Sequence, residues 1–313
     1  MSIISLHSIN LRTWALLGML LTGQLVLGCD ICGCASGGTF SGIYPQFESN
    51  IIGLQYNQQR LTHPFTPLNF NGDSRVLRDD YHQYTLWGRF FVKPRVQVLA
   101  FLPVSQNIRR ETERNTSIDG ISDLTLMANY TVINTGDSLY PRVKQALLLG
   151  GGVQLPIGKY QQRDENMLIL PPNFQVGTGA FSYILHANYT VRYGQLGINM
   201  DYQYRINDEN ERTYRFGNSH ALVSNLFYKF KAGKNAALLP SAGISYEHYA
   251  RDTEFGREKE TTGGDFLFAN LGVDYVVKRY FLRAFVQQPL SQNLPMAQPS
   301  TGPRFGVSVS LVF

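Results

Sequence analysis

The chain has 313 residues, of which 43% are hydrophobic and only 16% charged, with 18 Tyr, 19 Phe and 29 Gly. That charged fraction lies well under the ~25% of an ordinary soluble domain, the aromatic content excludes a disordered chain, and three cysteines are too few for a disulfide-dense scaffold. The net charge of +5 comes from Lys and Arg scattered at the ends of apolar segments, as in Lys93-Pro94-Arg95 and Lys278-Arg279, and not from a basic stripe, so nucleic acid is not an expected partner.

The one continuous apolar stretch, Trp14 to Gly28, follows Arg12 and runs for about fifteen residues, too short to anchor a chain in a bilayer. Residues 1–28 therefore read as an export signal peptide. Directly behind them comes Cys29-Asp30-Ile31-Cys32-Gly33-Cys34, for which three readings stay open. Leu25-Val26-Leu27-Gly28-Cys29 approximates a bacterial lipobox, which makes Cys29 a lipidation candidate. Alternatively Cys29, Cys32 and Cys34 offer thiolates on a short loop, suited to Cu(I) or zinc. The third reading is oxidation to a disulfide in the periplasm. Residues 35–48, with Gly37-Gly38, Gly42 and Pro45, show no TonB box, and 29–48 reads as a tether or partial plug.

From about Asn50 onward the pattern changes to period two, the signature of β-strands. Leu196, Ile198, Met200, Tyr202 and Tyr204 share one face, while Gly197, Asn199, Asp201, Gln203 and Arg205 share the other. Leu267, Ala269, Leu271, Val273 and Tyr275 oppose Asn270, Gly272 and Asp274, and Phe305, Val307, Val309, Leu311 and Phe313 oppose Gly306, Ser308 and Ser310. Strands are expected near 49–61, 80–92, 96–104, 121–133, 142–155, 178–191, 196–206, 214–231, 236–250, 264–277, 280–289 and 303–313. That is about twelve, and an even count is what bacterial membrane barrels use.

Ionisable groups in mid-strand (Arg89, Asp201, Arg205, Asp274, Arg283) suit a wet lumen, and Tyr193, Tyr202, Tyr228, Phe230 and Tyr280 at segment ends suit interfacial girdles. Short connections at 93–95, 134–141, 192–195, 232–235 and 278–279 alternate with long polar ones at 62–79, 105–120, 156–178, 207–213, 251–263 and 290–302. Outer-membrane barrels have short periplasmic turns and long outer loops. The fold class expected is thus all-β: a closed antiparallel transmembrane barrel over 49–313, both termini periplasmic, in the outer membrane of a Gram-negative cell. An open sheet edge in hydrocarbon would leave unpaired backbone groups costing several kcal/mol each, so the first and last strands must pair. Phe313 at the end of an alternating strand resembles the signal read by the barrel-assembly machinery.

Three segments carry a family resemblance: Gly120-Ile121-Ser122-Asp123-Leu124-Thr125-Leu126, Gly152-Val153-Gln154-Leu155-Pro156-Ile157-Gly158-Lys159, and Asn173-Phe174-Gln175-Val176-Gly177-Thr178-Gly179. In order and spacing they resemble the outer-membrane transporter family named for the MetA pathway of phenol degradation, and the Cys-rich start resembles exported barrels of the Bacteroidota. The resemblance implies a barrel that admits aromatic or other small hydrophobic compounds.

The expected function is passive passage of a small solute through a monomeric barrel. Its candidate lumen residues are Arg89, Asn129, His186, Asn188, Asn199, Asp201, Arg205, Asn270, Asp274 and Arg283, whose alternative role is a charge network satisfying itself inside the barrel. A second reading is a copper- or zinc-handling surface protein built on the N-terminal cysteines, in which case metal is the only cofactor involved. A third, a barrel hydrolase, fails on the residues: none of His63, His82, His186, His220 or His248 is followed two positions later by Ser, and neighbours Ser219 and His220 point to opposite faces of a strand. Gly150-Gly151-Gly152 lacks the Lys-Ser/Thr of a phosphate loop and reads as a bend or a narrowing of the lumen.

Overall fold

A computed structural model describes residues 49–63, 77–111, 115–135, 143–233, 235–295 and 299–313. The expected signal peptide, the cysteines and the 35–48 segment lie outside the described residues. The chain forms a closed twelve-strand antiparallel barrel. Its strands are β1 (Ile51–Thr62), β2 (Arg78–Lys93), β3 (Val96–Arg110), β4 in two pieces (Asn115–Ile121 and Leu124–Asn134), β5 (Val143–Leu155) and β6 (Ser182–Tyr193). They continue as β7 (Leu196–Asn207), β8 (Ser219–Tyr228), β9 (Ala236–Tyr249), β10 (Gly264–Val277), β11 (Tyr280–Asn293) and β12 (Arg304–Val312). Each pairs with its neighbours in sequence, and β1 pairs with β12 from Ile51↔Val312 to Gln58↔Phe305, so no edge is left open. No described helix is long and apolar enough to cross a membrane.

The period-two pattern settles which face meets lipid. Along β12, Phe305, Val307, Val309 and Leu311 are exposed, while Arg304, Gly306, Ser308 and Ser310 are buried. Leu271 is 60% exposed and its strand neighbour Asn270 only 7%. Apolar outside and polar inside is the inverse of a soluble sandwich. Exposed aromatics ring both ends: Phe90, Tyr193, Tyr228, Phe230, Tyr280 and Phe313 near the termini, and Tyr84, Tyr183, Tyr202, Tyr246 and Phe305 toward the other end. Phe313 closes the wall by exchanging backbone hydrogen bonds with Asn50, 3.0 and 2.9 Å long.

Short connections and both described chain ends lie at one end of the barrel and the longer connections at the other. One expected long loop, 105–120, is instead a strand extension, with β3 reaching Arg110 and β4 starting at Asn115. The polar residues that made it look like a loop hold it as sheet. Arg109 donates two 2.8 Å hydrogen bonds to Asp79, and Arg110 one of 2.9 Å to Asp80, which also accepts from Arg60. The expected 214–231 strand loses only its start to the barrel, because Tyr214–Arg215 joins Thr253–Glu254 and Arg257–Glu258 in a small sheet over the long-loop end, while Phe230–Lys231 continues past β8 paired with β9.

Candidate functional site

All the lumen candidates face inward, as their alternation requires, but they fall into two groups. An apolar cluster of Ile51, Trp87, Leu99, Phe101, Met127, Leu148, Ile184 and Phe281 fills part of the interior, with Val276 and Val312 at the terminus-bearing end packed against it. Beside it lie polar networks. His186 Nε2 is 2.8 Å from Asp201 Oδ2 and its Nδ1 is 3.0 Å from Asn129 Oδ1. Asn188 donates to the same Asp201 oxygen at 2.9 Å, and Asn199 donates to Asn188 Oδ1 at 3.2 Å and to Thr190 Oγ1 at 2.8 Å.

Asp274 and Arg283 stand directly opposite on β10 and β11 and form a bidentate pair at 2.7 and 3.0 Å. Asn270 donates to Asn225 and accepts from Ser245 and Gln287. Arg89 is buried, its guanidinium 5.5 Å from the centre of the Phe91 ring. Asp274 with Arg283 and His186 with Asp201 are satisfied within the wall, whereas Asn129 Nδ2 and Asn199 Oδ1 are buried without a partner among the described residues.

Arg205 alone of the set lines the cavity of about 400 Å³ that lies toward the long-loop end. Phe101, Met127 and Phe285 supply apolar wall there, and Gln203, Gln287 and Arg304 supply polar wall. One side of the cavity is made by the 156–181 loop, through Pro172, Asn173, Gln175, Val176, Gly177 and Thr178.

A single carboxylate holds that loop in place. β4 breaks at Ser122-Asp123, opposite Pro103 of β3, which has no N–H to donate to the ladder. Ser122 N donates to the Pro103 carbonyl at 2.8 Å, and Asp123 turns in at the break. Buried to 4% exposure, it accepts from Gln154 Nε2 (3.1 Å), Gly158 N (2.9 Å), Thr178 N (2.9 Å) and Thr178 Oγ1 (2.6 Å). The two loop strands touch where a Cβ on Gly177 would lie 2.4 Å from the Gly158 carbonyl, so neither position admits a side chain. Further along, Asn107 Nδ2 donates to the Phe174 carbonyl at 2.7 Å, Arg109 lies 4.6 Å from the Phe174 ring centre, and Phe174 packs with Ile118, Leu170 and Val176.

The three segments that carried the family resemblance therefore meet around Asp123. Sequence reasoning quoted Asp123 without giving it a role. The available signal was an acidic residue interrupting an apolar strand, with Gly-rich segments following at a distance.

No family model and no curated protein matches the chain in sequence. Among solved structures it resembles the COG4313 outer membrane channel from Pseudomonas putida F1, with a TM-score of 0.61 and 14% identity over 91% of this chain and 98% of that one. At that identity the likeness is one of fold: this chain has the architecture of an outer-membrane barrel. Two others are looser and carry no argument. The beta domain of the Bordetella autotransporter BrkA has a TM-score of 0.48 at 9% identity, over 85% of this chain and 100% of that one. The CymD monoaromatic hydrocarbon channel has 0.41 at 10%, over 85% and 88%.

Proposed function

We propose that the protein is an outer-membrane channel for passive passage of a small, partly apolar solute, entering past the long loops and leaving at a periplasmic end that carries both termini. The carrying observation is the cavity of about 400 Å³, bounded by barrel wall and the loop tied to Asp123, whose lining mixes aromatic rings with amides and guanidinium groups. A lining of that kind and a volume of that order suit a single-ring solute. Twelve strands leave a lumen narrower than the open aqueous channel of sixteen or more, so side chains and one loop suffice to make it selective. Passage is down a gradient, since the outer membrane supplies no ATP. The fold neighbour named as an outer membrane channel agrees with this reading.

The test is solute entry into proteoliposomes, using aromatic solutes that cross bare lipid slowly: benzoate, benzamidine and a phenyl glucoside at neutral pH. Entry of at least one should exceed that into protein-free liposomes. Equality for all of them sinks the channel reading.

A further inference from the structure

We propose that the cavity takes a monocarboxylate with an aromatic or otherwise apolar body, its carboxylate held by Arg205. The inference rests on the channel reading above and names its substrate class.

Three inward-facing cations of the barrel have carboxylate partners: Arg283 has Asp274, Arg109 has Asp79, and Arg304 has Glu247 at 2.7 Å. Arg205 makes no hydrogen bond or ion pair among the described residues, and it lines the cavity. Its ionisable neighbours are Tyr249 and Asp123. The Asp123 oxygens are already occupied by Gln154, Gly158 and Thr178, and removing them from that role would release the loop.

A second observation points the same way. Gln203 lies two residues before Arg205 on the same inward face, is only 4% exposed, lines the cavity, and has an Oε1 with no partner. Arg304 adds an Nε with no partner on the same cavity. Two side chains of the cavity wall beside Arg205 thus carry a buried polar atom without a partner among the described residues.

A guanidinium in a partly dry site is costly without an anion, and its fork of N–H groups matches a carboxylate in two parallel hydrogen bonds. The Phe101 and Phe285 rings supply apolar surface for the rest of the solute. A neutral phenol or hydrocarbon would fill that surface and leave Arg205 uncompensated.

The experiment uses the full chain folded in detergent and three solutes of one shape and different charge: benzoate, benzamide and benzamidine, titrated by calorimetry. Benzoate is expected to bind roughly tenfold or more tighter than benzamide, with benzamidine weakest, because a charge-assisted pair is being made or withheld. Arg205→Gln should erase the benzoate advantage over benzamide, and Arg205→Lys should restore part of it. Benzoate binding no tighter than benzamide overturns the proposal, as does full benzoate affinity in a folded Arg205→Gln barrel. Should Arg205→Gln fail to fold, the ranking of the three solutes on the unaltered chain decides. Benzoate binding without entry into proteoliposomes would sink the channel reading and leave the carboxylate site standing. Entry of all three solutes at equal rates, with no benzoate preference in binding, would do the reverse.

Discussion

At the scale of single residues the lumen is built from two kinds of polar group: those that satisfy each other and those aimed at the cavity. Asp274 and Arg283 belong to the first kind, and removing one member takes two charge-assisted hydrogen bonds from a buried charge. Arg283→Met is expected to lower stability by about 3–5 kcal/mol, read as a shift in the urea midpoint, whereas the double replacement Asp274→Leu with Arg283→Met should recover most of the loss. Asp123 is different, because its hydrogen bonds join the barrel to a loop. Asp123→Ala removes the acceptor for Gly158, Thr178 and Gln154, a loss of about 2–4 kcal/mol felt by the loop. The expected outcome is faster trypsin cleavage at Lys159 and Arg163 with an unchanged barrel melting temperature; equal cleavage rates would show that the carboxylate does not hold the loop. That the lumen candidates face inward was legible from parity alone. That Arg205 reaches a cavity while Asp201 does not was illegible, because depth along a tilted strand and the position of a folded-in loop leave no mark on alternation.

At the scale of elements, strands were legible where one face is greasy and the other polar, as in β7, β10 and β12. The reading failed where strands leave the greasy zone. The outer halves of β3 and β4 carry Asn107, Arg109, Arg110, Asn115 and Asp119, residues that read as loop until the ion pairs of Arg109 and Arg110 with Asp79 and Asp80 on β2 are known. The loops at that end are also tied to each other. Tyr214 donates to Asp252 at 2.5 Å, Gly217 N donates to the other Asp252 oxygen at 2.8 Å, and Asp252 N donates to Thr262 Oγ1 at 2.9 Å. Burial and then the Asp252 carboxylate hold the Tyr214 phenol protonated well above its ordinary range. A raised phenol pKa means that the contribution of this contact is intact below about pH 10, the value for a free tyrosine, and is lost as the pH rises beyond it. Asp252→Ala should loosen the small sheet and speed trypsin cleavage after Arg251, Arg257 and Lys259 by the equivalent of about 1–3 kcal/mol. Unaltered cleavage would show that the sheet stands without Asp252.

At the scale of the whole molecule, the lipid-facing rows and the closure of β1 on β12 define the fold together. Leu271 lies mid-strand on the outer face, so Leu271→Arg should destabilise the barrel in lipid by about 2–4 kcal/mol, whereas Leu290→Arg near the long-loop end should have less than half that effect. Folding titrations in bilayers of defined thickness measure both, and equal penalties would place the acyl zone elsewhere on the wall. The sequence by itself determined the strand pattern, the alternation of short and long connections and which side chains look inward, because each is a local consequence of a period-two backbone between water and hydrocarbon. Only the tertiary structure decided that Asp123 gathers segments far apart in the chain, that the 156–181 loop forms a cavity wall, and that Arg205 has no carboxylate partner among the described residues while Arg283 and Arg304 are paired. Those outcomes depend on which strands become neighbours when the sheet closes and on the register at which they meet, and periodicity along one strand carries neither quantity.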